Sequence, residues 1–240
     1  MNFKKIIACA AAAAICSAFT ACGDSKDSSS KAEVVNSAVE SGEVRTESET
    51  NSSAEQVGIT DYDVNGDFRA FDTLKETYGG GYTANLQIDY SGNVVDMTAT
   101  ISGDKAYMSS VSSGMKSYNV VPGDGNIYCV YEATTTYSVE EAEENSASQL
   151  DILFGATSDF ASAEIDEATN TVYEHYSLNK EVSASEGEII YGFDGASYEL
   201  TEIQIAFEGV EIPDLYKVIS IGEADTSVLE VPDISAYTKI

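Results

Sequence analysis

The sequence predicts a mainly β domain of α+β type, built on an antiparallel sheet and held at the end of an N-terminal tether. Three observations carry this. Apolar and polar residues alternate strictly from Tyr82 to Tyr90 and again from Val95 to Ile101, the pattern of paired strands with one buried face. The composition, with 15 Tyr, 3 Pro and no Trp in 240 residues, favours strands over helices. Short Gly-, Asn- and Asp-containing turns then recur down the chain.

The first expected element is a helix over residues 68–78, capped by Asp67, with Phe68, Phe71, Leu74, Lys75 and Tyr78 near one face and Gly79, Gly80 and Gly81 ending it. Tyr82, Ala84, Leu86, Ile88 and Tyr90 then form one face of a strand. A turn at Ser91, Gly92 and Asn93 returns the chain along Val95, Met97, Ala99 and Ile101. Strands are expected over residues 105–112, 115–121, 126–131 and 134–139. Residues 140–154 break the pattern: Glu140, Glu141, Glu143 and Glu144 suit a helix N-terminus, and Leu150, Ile152, Leu153 and Phe154 give an apolar end. A short helix or lid is expected there. Strands resume over residues 160–165, 171–178 and 187–193, with Asp194 and Gly195 as a hairpin turn. They continue through Thr201, Ile203, Ile205 and Phe207 and over residues 216–221 and 228–231.

The N-terminus reads as an export signal over residues 1–21. Lys4 and Lys5 precede an uncharged apolar stretch over residues 6–19, too short to span a hydrocarbon core that needs about 20 residues. It ends in Phe19, Thr20, Ala21 and Cys22. Small residues before a cysteine resemble the lipobox of bacterial lipoproteins, which implies cleavage before Cys22 and its acylation. The expected location is the outer face of the bacterial cell membrane, with the membrane engaged through this anchor. Several acyl chains are needed for stable anchoring, because one alone binds marginally. Residues 22–57 then form the lipidated cysteine and a Ser/Glu-rich tether with no aromatic residue, unable to offset its ordering entropy. As a flexible coil it reaches about 30–35 Å. Residues 58–240 form one domain, long enough for a sizeable core.

After cleavage only Cys129 remains available in the domain, so stability comes from the core and not from an internal disulfide. Twelve Lys+Arg against 41 Asp+Glu give a formal net charge of −29. Such a field repels phosphate backbones, so no nucleic-acid partner is expected.

The search for catalytic chemistry yields little. The single histidine, His175, lies on a strand beside Tyr173 and Tyr176 and reads as a surface residue. With one histidine, histidine-based zinc sites are excluded. No nucleophile elbow, phosphate-binding glycine loop or dinucleotide fingerprint occurs. Cys129 alternates with Ile127 and Tyr131 and reads as a small core residue. Residues 61–72 place Asp61, Asp63, Asn65, Gly66 and Asp72 at positions resembling a calcium loop of the EF-hand type. Position 12 is Asp where a bidentate Glu is usual, and no helix signal precedes it, so an acidic turn leading into a helix is expected, with no metal and no cofactor.

Gly103, Asp104, Lys105, Ala106, Tyr107 and Met108, then Asp124 to Tyr128 with its following hairpin, occur in order after the early helix and long hairpin. Tyr173 to Tyr176, Tyr191 to Leu200, Glu202 and Ile203, and Val228 to Pro232 before Tyr237 follow. In this order the chain resembles the half-barrel lipoproteins of the LolA/LppX-like group. That resemblance implies a strongly curved antiparallel sheet, a half β-barrel, covered by a few short helices. It also implies no catalytic residues and, in several members, a lipid or acyl chain held between sheet and lid. The expected function is therefore that of a membrane-anchored extracytoplasmic lipoprotein binding a lipid or other hydrophobic ligand. Leu86, Ile88, Tyr90, Met97, Ile101, Ile203, Ile205 and Phe207 would line the cavity. The alternative is a non-catalytic surface interaction or accessory protein in which the same residues form a filled core.

Overall fold

The computed structural model describes residues 61–90, 92–179, 186–210 and 214–240. The signal-like segment, Cys22 and the whole tether lie outside the described residues. Among the described residues twelve strands form one sheet that is not closed: β1 (Tyr82–Tyr90), β2 (Asn93–Ser102), β3 (Lys105–Ser112), β4 (Met115–Val121), β5 (Asn126–Tyr131), β6 (Thr136–Glu141), β7 (Thr157–Asp166), β8 (Thr171–Leu178), β9 (Gly187–Asp194), β10 (Leu200–Phe207), β11 (Asp214–Gly222) and β12 (Thr238–Lys239). Two helices accompany it there, α1 (Ala70–Tyr78) and α2 (Ser146–Leu150).

The strand order is β12-β6-β5-β4-β3-β2-β1-β11-β10-β9-β8-β7. Two meanders, β1 to β6 and β7 to β11, are joined by the antiparallel pairing of β1 with β11. All pairs are antiparallel except β12 on β6. Because β6 and β7 lie near opposite edges, residues 142–156, including α2, must cross the sheet. Leu150, Ile152, Leu153 and Ala156 of this crossing are buried in the main core, and α2 lies over β2 and β3.

Registers define the inner face. Ile88 pairs with Tyr216, Tyr216 with Ile203, Ile203 with Tyr191 and Tyr191 with Glu174, giving one continuous row across five strands. All five side chains are buried. The opposite face of β1 and its neighbours is polar. Thr98 Oγ1 donates to Asn85, Asn85 Nδ2 to Ser220 and Gln87 Nε2 to Asp96 at 2.7–2.9 Å. Period-2 patterning thus becomes one dry and one wet face.

A second, smaller core lies on the outer face of the first meander. Leu229 packs on Tyr107 and Val120, with Tyr118, Tyr128 and Val228 around them. It belongs to the C-terminal segment, residues 223–240, which runs back across that face. Asp225 N donates to Thr83 Oγ1 at 2.8 Å, and Thr238 N and Ile240 N donate to Thr135 and Tyr137 carbonyls at 2.9 Å.

Three expectations are corrected. The helix starts at Ala70, not at residue 68, and Asp67 does not cap it: the N-cap position is Arg69, without a side-chain cap bond. Glu140 and Glu141 end β6, and the helix that follows starts only at Ser146. Residues 228–231 add no strand. Thr226–Leu229 is a 3-10 turn whose Asp225 side chain accepts from Ser227 N, so Leu229 is inserted as a plug and the closing strand comes later, as β12. The remaining strands agree with the sequence pattern to within a few residues. Among the described residues no helix is long and apolar enough to cross a membrane.

Candidate functional site

The inner face and the two segments laid across it form the candidate site. Each covering segment is fixed by a carboxylate, that of Glu174 fully buried and that of Asp151 partly buried. Glu174 lies on β8 between Val172 and Tyr176, inward by strand parity, and is fully buried. Its Oε1 accepts from Tyr62 Oη at 2.7 Å and Ala70 N at 2.7 Å, and its Oε2 from Phe71 N at 3.1 Å and Tyr176 Oη at 2.9 Å. A strand residue thereby caps the N-terminus of α1, where unpaired amides and the helix dipole favour an anion. Burial, and then the Glu174 carboxylate, hold both Tyr62 and Tyr176 above the usual phenol range, so both remain donors.

Asp151 plays the same part in the crossing segment. Its Oδ1 accepts from Tyr82 Oη at 2.7 Å, Leu153 N at 3.2 Å and Phe154 N at 2.9 Å. Tyr191 Oη on β9 donates to the Leu153 carbonyl at 2.5 Å and also meets Thr157 Oγ1. Two tyrosines from the sheet therefore pin the crossing segment. Phe71 of α1 completes the cover, with its ring 4.6–5.7 Å from those of Tyr191, Tyr176 and Phe154.

Under this cover Leu86, Ile88, Ile101, Ile203 and Ile205 are buried in one contiguous cluster with Phe71, Leu150 and Leu153. Met97 and Phe207 are partly buried against it. Tyr90, at the end of its strand, is 41% exposed. Burial and the neighbouring Asp214 push its hydroxyl up to about 12. The eight residues read from sequence are thus brought to one face, seven within or against the core and Tyr90 at its margin. Further along this face the first meander turns polar: Ser110, Ser112 and Asn119 are buried, and Ser110 Oγ lies 3.1 Å from Ser117 Oγ.

The other candidates fall elsewhere. Cys129 is buried beside Ile127 in the core. His175 is on the outer face, its Nδ1 3.2 Å from Glu188 and its Nε2 3.8 Å from Glu164. The carboxylates flank opposite ring nitrogens, so the three cannot share one ion. In the loop of residues 61–72, Asp63 Oδ1 accepts from Asn65 N and Asp61 Oδ1 from Tyr198 Oη. Among the described residues no group of three or more His, Cys, Asp or Glu is arranged to hold a metal.

Glu174 and Asp151 were missed by sequence reasoning. Glu174 left a readable signal: an acid with the parity of Val172, Tyr176 and Leu178 must face the core. Asp151 left none that distinguishes it: its bonds from Leu153 N and Phe154 N are those of an ordinary Asx turn, and the bond from Tyr82 comes from a strand remote in sequence.

No family model matches the chain, and no curated protein matches it. Among solved structures, an uncharacterized conserved protein from Thermus thermophilus is similar over 71% of this chain and 96% of its own, at 6% identity and a TM-score of 0.46.

Proposed function

We propose that this chain is an extracytoplasmic lipoprotein, acylated at Cys22, whose folded part is a non-catalytic interaction or accessory module with a filled interior. One observation carries the choice between the two expected functions: Leu86, Ile88, Ile101, Ile203 and Ile205 are buried in one contiguous cluster with the protein's own covering side chains Phe71, Leu150 and Leu153. The buried acid Glu174 adds support for a non-catalytic role. Both oxygens of Glu174 already accept two donors each, which leaves no lone pair for a substrate.

The sheet belongs, in this proposal, to the half-barrel type. Its support is the length of the crossing. Ten strand intervals separate β6 from β7, about 48 Å in a flat sheet. Residues 142–156, with one turn of helix, reach on the order of 45 Å fully stretched. Turn hydrogen bonds such as Gly155 N to Asp151 O shorten them further. So short a bridge favours a sheet whose edges bend toward each other.

The second reading, a carrier of a lipid or other hydrophobic ligand, draws on the margin of the inner face. Met97, Met108 and Phe207 are only partly buried there, and Tyr90 and Met115 are exposed. Native mass spectrometry of the purified protein separates the two readings. The interaction module is expected at its sequence mass plus the anchor. A retained lipid removed only by denaturation would overturn the filled-interior reading.

A further inference from the structure

Beside α1 the loop of residues 61–68 meets the turn between β9 and β10 in an aromatic cluster. Phe68 lies 5.3 Å from Tyr198 and 6.0 Å from Tyr62, and Tyr62 lies 6.0 Å from Tyr198, all between ring centroids. Tyr62 is buried and bonded to Glu174, so the cluster is rooted in the core. Phe68 is 49% exposed, outside any helix or strand. Tyr198 sits at φ +57, a conformation costly for an aromatic residue. That backbone sets its ring on Phe68 and its hydroxyl on Asp61 at 3.0 Å. The exposed rim is acidic: Asp61, Asp63, Asp67 and Glu199 are all exposed. The basic residue in this loop, Arg69, sits beside the Tyr62 hydroxyl and is already engaged within the chain. Its Nη1 donates to the Gly66 and Phe68 carbonyls, and its guanidinium lies 3.9 Å over the Phe160 ring.

We infer that the Phe68–Tyr198 surface docks an arginine side chain of a partner protein. Charge complementarity selects a cation, because the rim carries acids and the chain as a whole has net charge −29. The aromatic rings select arginine over lysine. A planar guanidinium can stack on a ring and still donate to carboxylates at its edge, whereas an ammonium is a more strongly hydrated point charge. A rigid aromatic centre with a polar rim is also the usual build of an interface hot spot. This inference rests on the interaction-module reading and names its surface.

The probe is a fluorescent Gly-Arg-Gly-Arg-Gly peptide, with lysine and glutamate counterparts, titrated into the full-length protein in detergent by anisotropy. The arginine peptide is expected to bind more tightly than the lysine peptide, and the glutamate peptide not at all. Phe68→Ala should weaken arginine-peptide binding about three- to fivefold, and Phe68→Tyr should restore it. Melting temperature, followed by circular dichroism, should barely change in either variant because Phe68 is half exposed. Equal binding in the parent and Phe68→Ala, or no preference for arginine over lysine, would overturn the proposal and reduce the patch to diffuse charge. Failure here with no lipid in native mass spectrometry leaves the module docking elsewhere. A retained lipid would instead remove the module reading itself, whatever the peptide does.

Discussion

Tyr62 and Glu174, 112 positions apart in sequence, meet in the interior at 2.7 Å, and this bond closes the N-terminal segment onto the far side of the sheet. The helix it secures has no cap from its own flanking residues. Glu174→Gln tests how much the segment depends on it. An amide would place N–H donors against two of the four donors now satisfied, and a buried donor left without an acceptor costs about 1–3 kcal/mol. Urea unfolding should show a loss on the order of 3 kcal/mol, with Tyr62→Phe costing less. A Gln variant as stable as the parent would mean that the carboxylate is dispensable.

Asp151 should behave in the opposite way. The bonds from Tyr82, Leu153 and Phe154 all use Oδ1, which the amide of Asp151→Asn reproduces. Burial, the largest influence, raises its carboxyl above the ordinary range. The folded chain therefore binds this proton more tightly than the unfolded chain. The contribution of Asp151 to stability then falls as pH rises from the unfolded value, about 3.9, through the raised folded value. Asp151→Asn should be nearly neutral near pH 4 and at least as stable as the parent near pH 7. Thermal melts at both pH values check this, and a variant weaker at pH 7 than at pH 4 would reverse the sign.

Leu229 holds the C-terminal segment on the outer face through a three-residue core with Tyr107 and Val120. A buried Leu→Ala change costs about 2–5 kcal/mol, least where the site can collapse. Because β12 adds only two residues to the sheet edge, the expected effect of Leu229→Ala is local. Hydrogen exchange at the Thr238 and Ile240 amides should accelerate while β1 and β9 keep their protection. Uniform loss of protection would show instead that the outer core supports the whole sheet.

The contrast between these sites explains what the sequence made legible. Alternation from Tyr82 to Ile101 revealed the central hairpin because a buried face must recur every second residue. The inward parity of Leu86, Ile88, Ile203 and Ile205 followed from the same rule. It could not say what lies on top of them, since that depends on a crossing whose anchors, Tyr82 and Tyr191, are 71 and 38 residues from Leu153. The helix start was misplaced because Asp67 is a sound local cap and the true cap is a distant glutamate. The apolar run at Val228 and Leu229 has strand-like composition, and a plug inserted across another face leaves the same local trace.

Anchoring is tested at Cys22. Acylation there should hold the protein in the membrane fraction, and Cys22→Ala should release it to the medium or leave it unprocessed. Membrane partitioning unchanged by the substitution would remove the lipoprotein proposal.

Ile88 and Ile203 flank Tyr216 in one row of the inner face although they belong to different meanders, so they probe the interior from both sides. Ile88 is 3% exposed and Ile203 fully buried. In a filled interior a larger side chain has no room, and Trp at either position should cost about 1–3 kcal/mol through overpacking. Ile203 should be the more sensitive. Its neighbour Tyr191 is pinned to the crossing segment and packed under Phe71, whereas Ile88 lies nearer the exposed margin at Tyr90. A hydrophobic carrier predicts the reverse, with Trp tolerated in a roomy cavity and uptake of a fluorescent fatty acid falling. Thermal melts and probe titrations on Ile88→Trp and Ile203→Trp therefore read opposite pairs of outcomes. Marked destabilisation with no fatty-acid binding by the parent is expected here. Undisturbed melts with lost binding would transfer the function to the carrier reading.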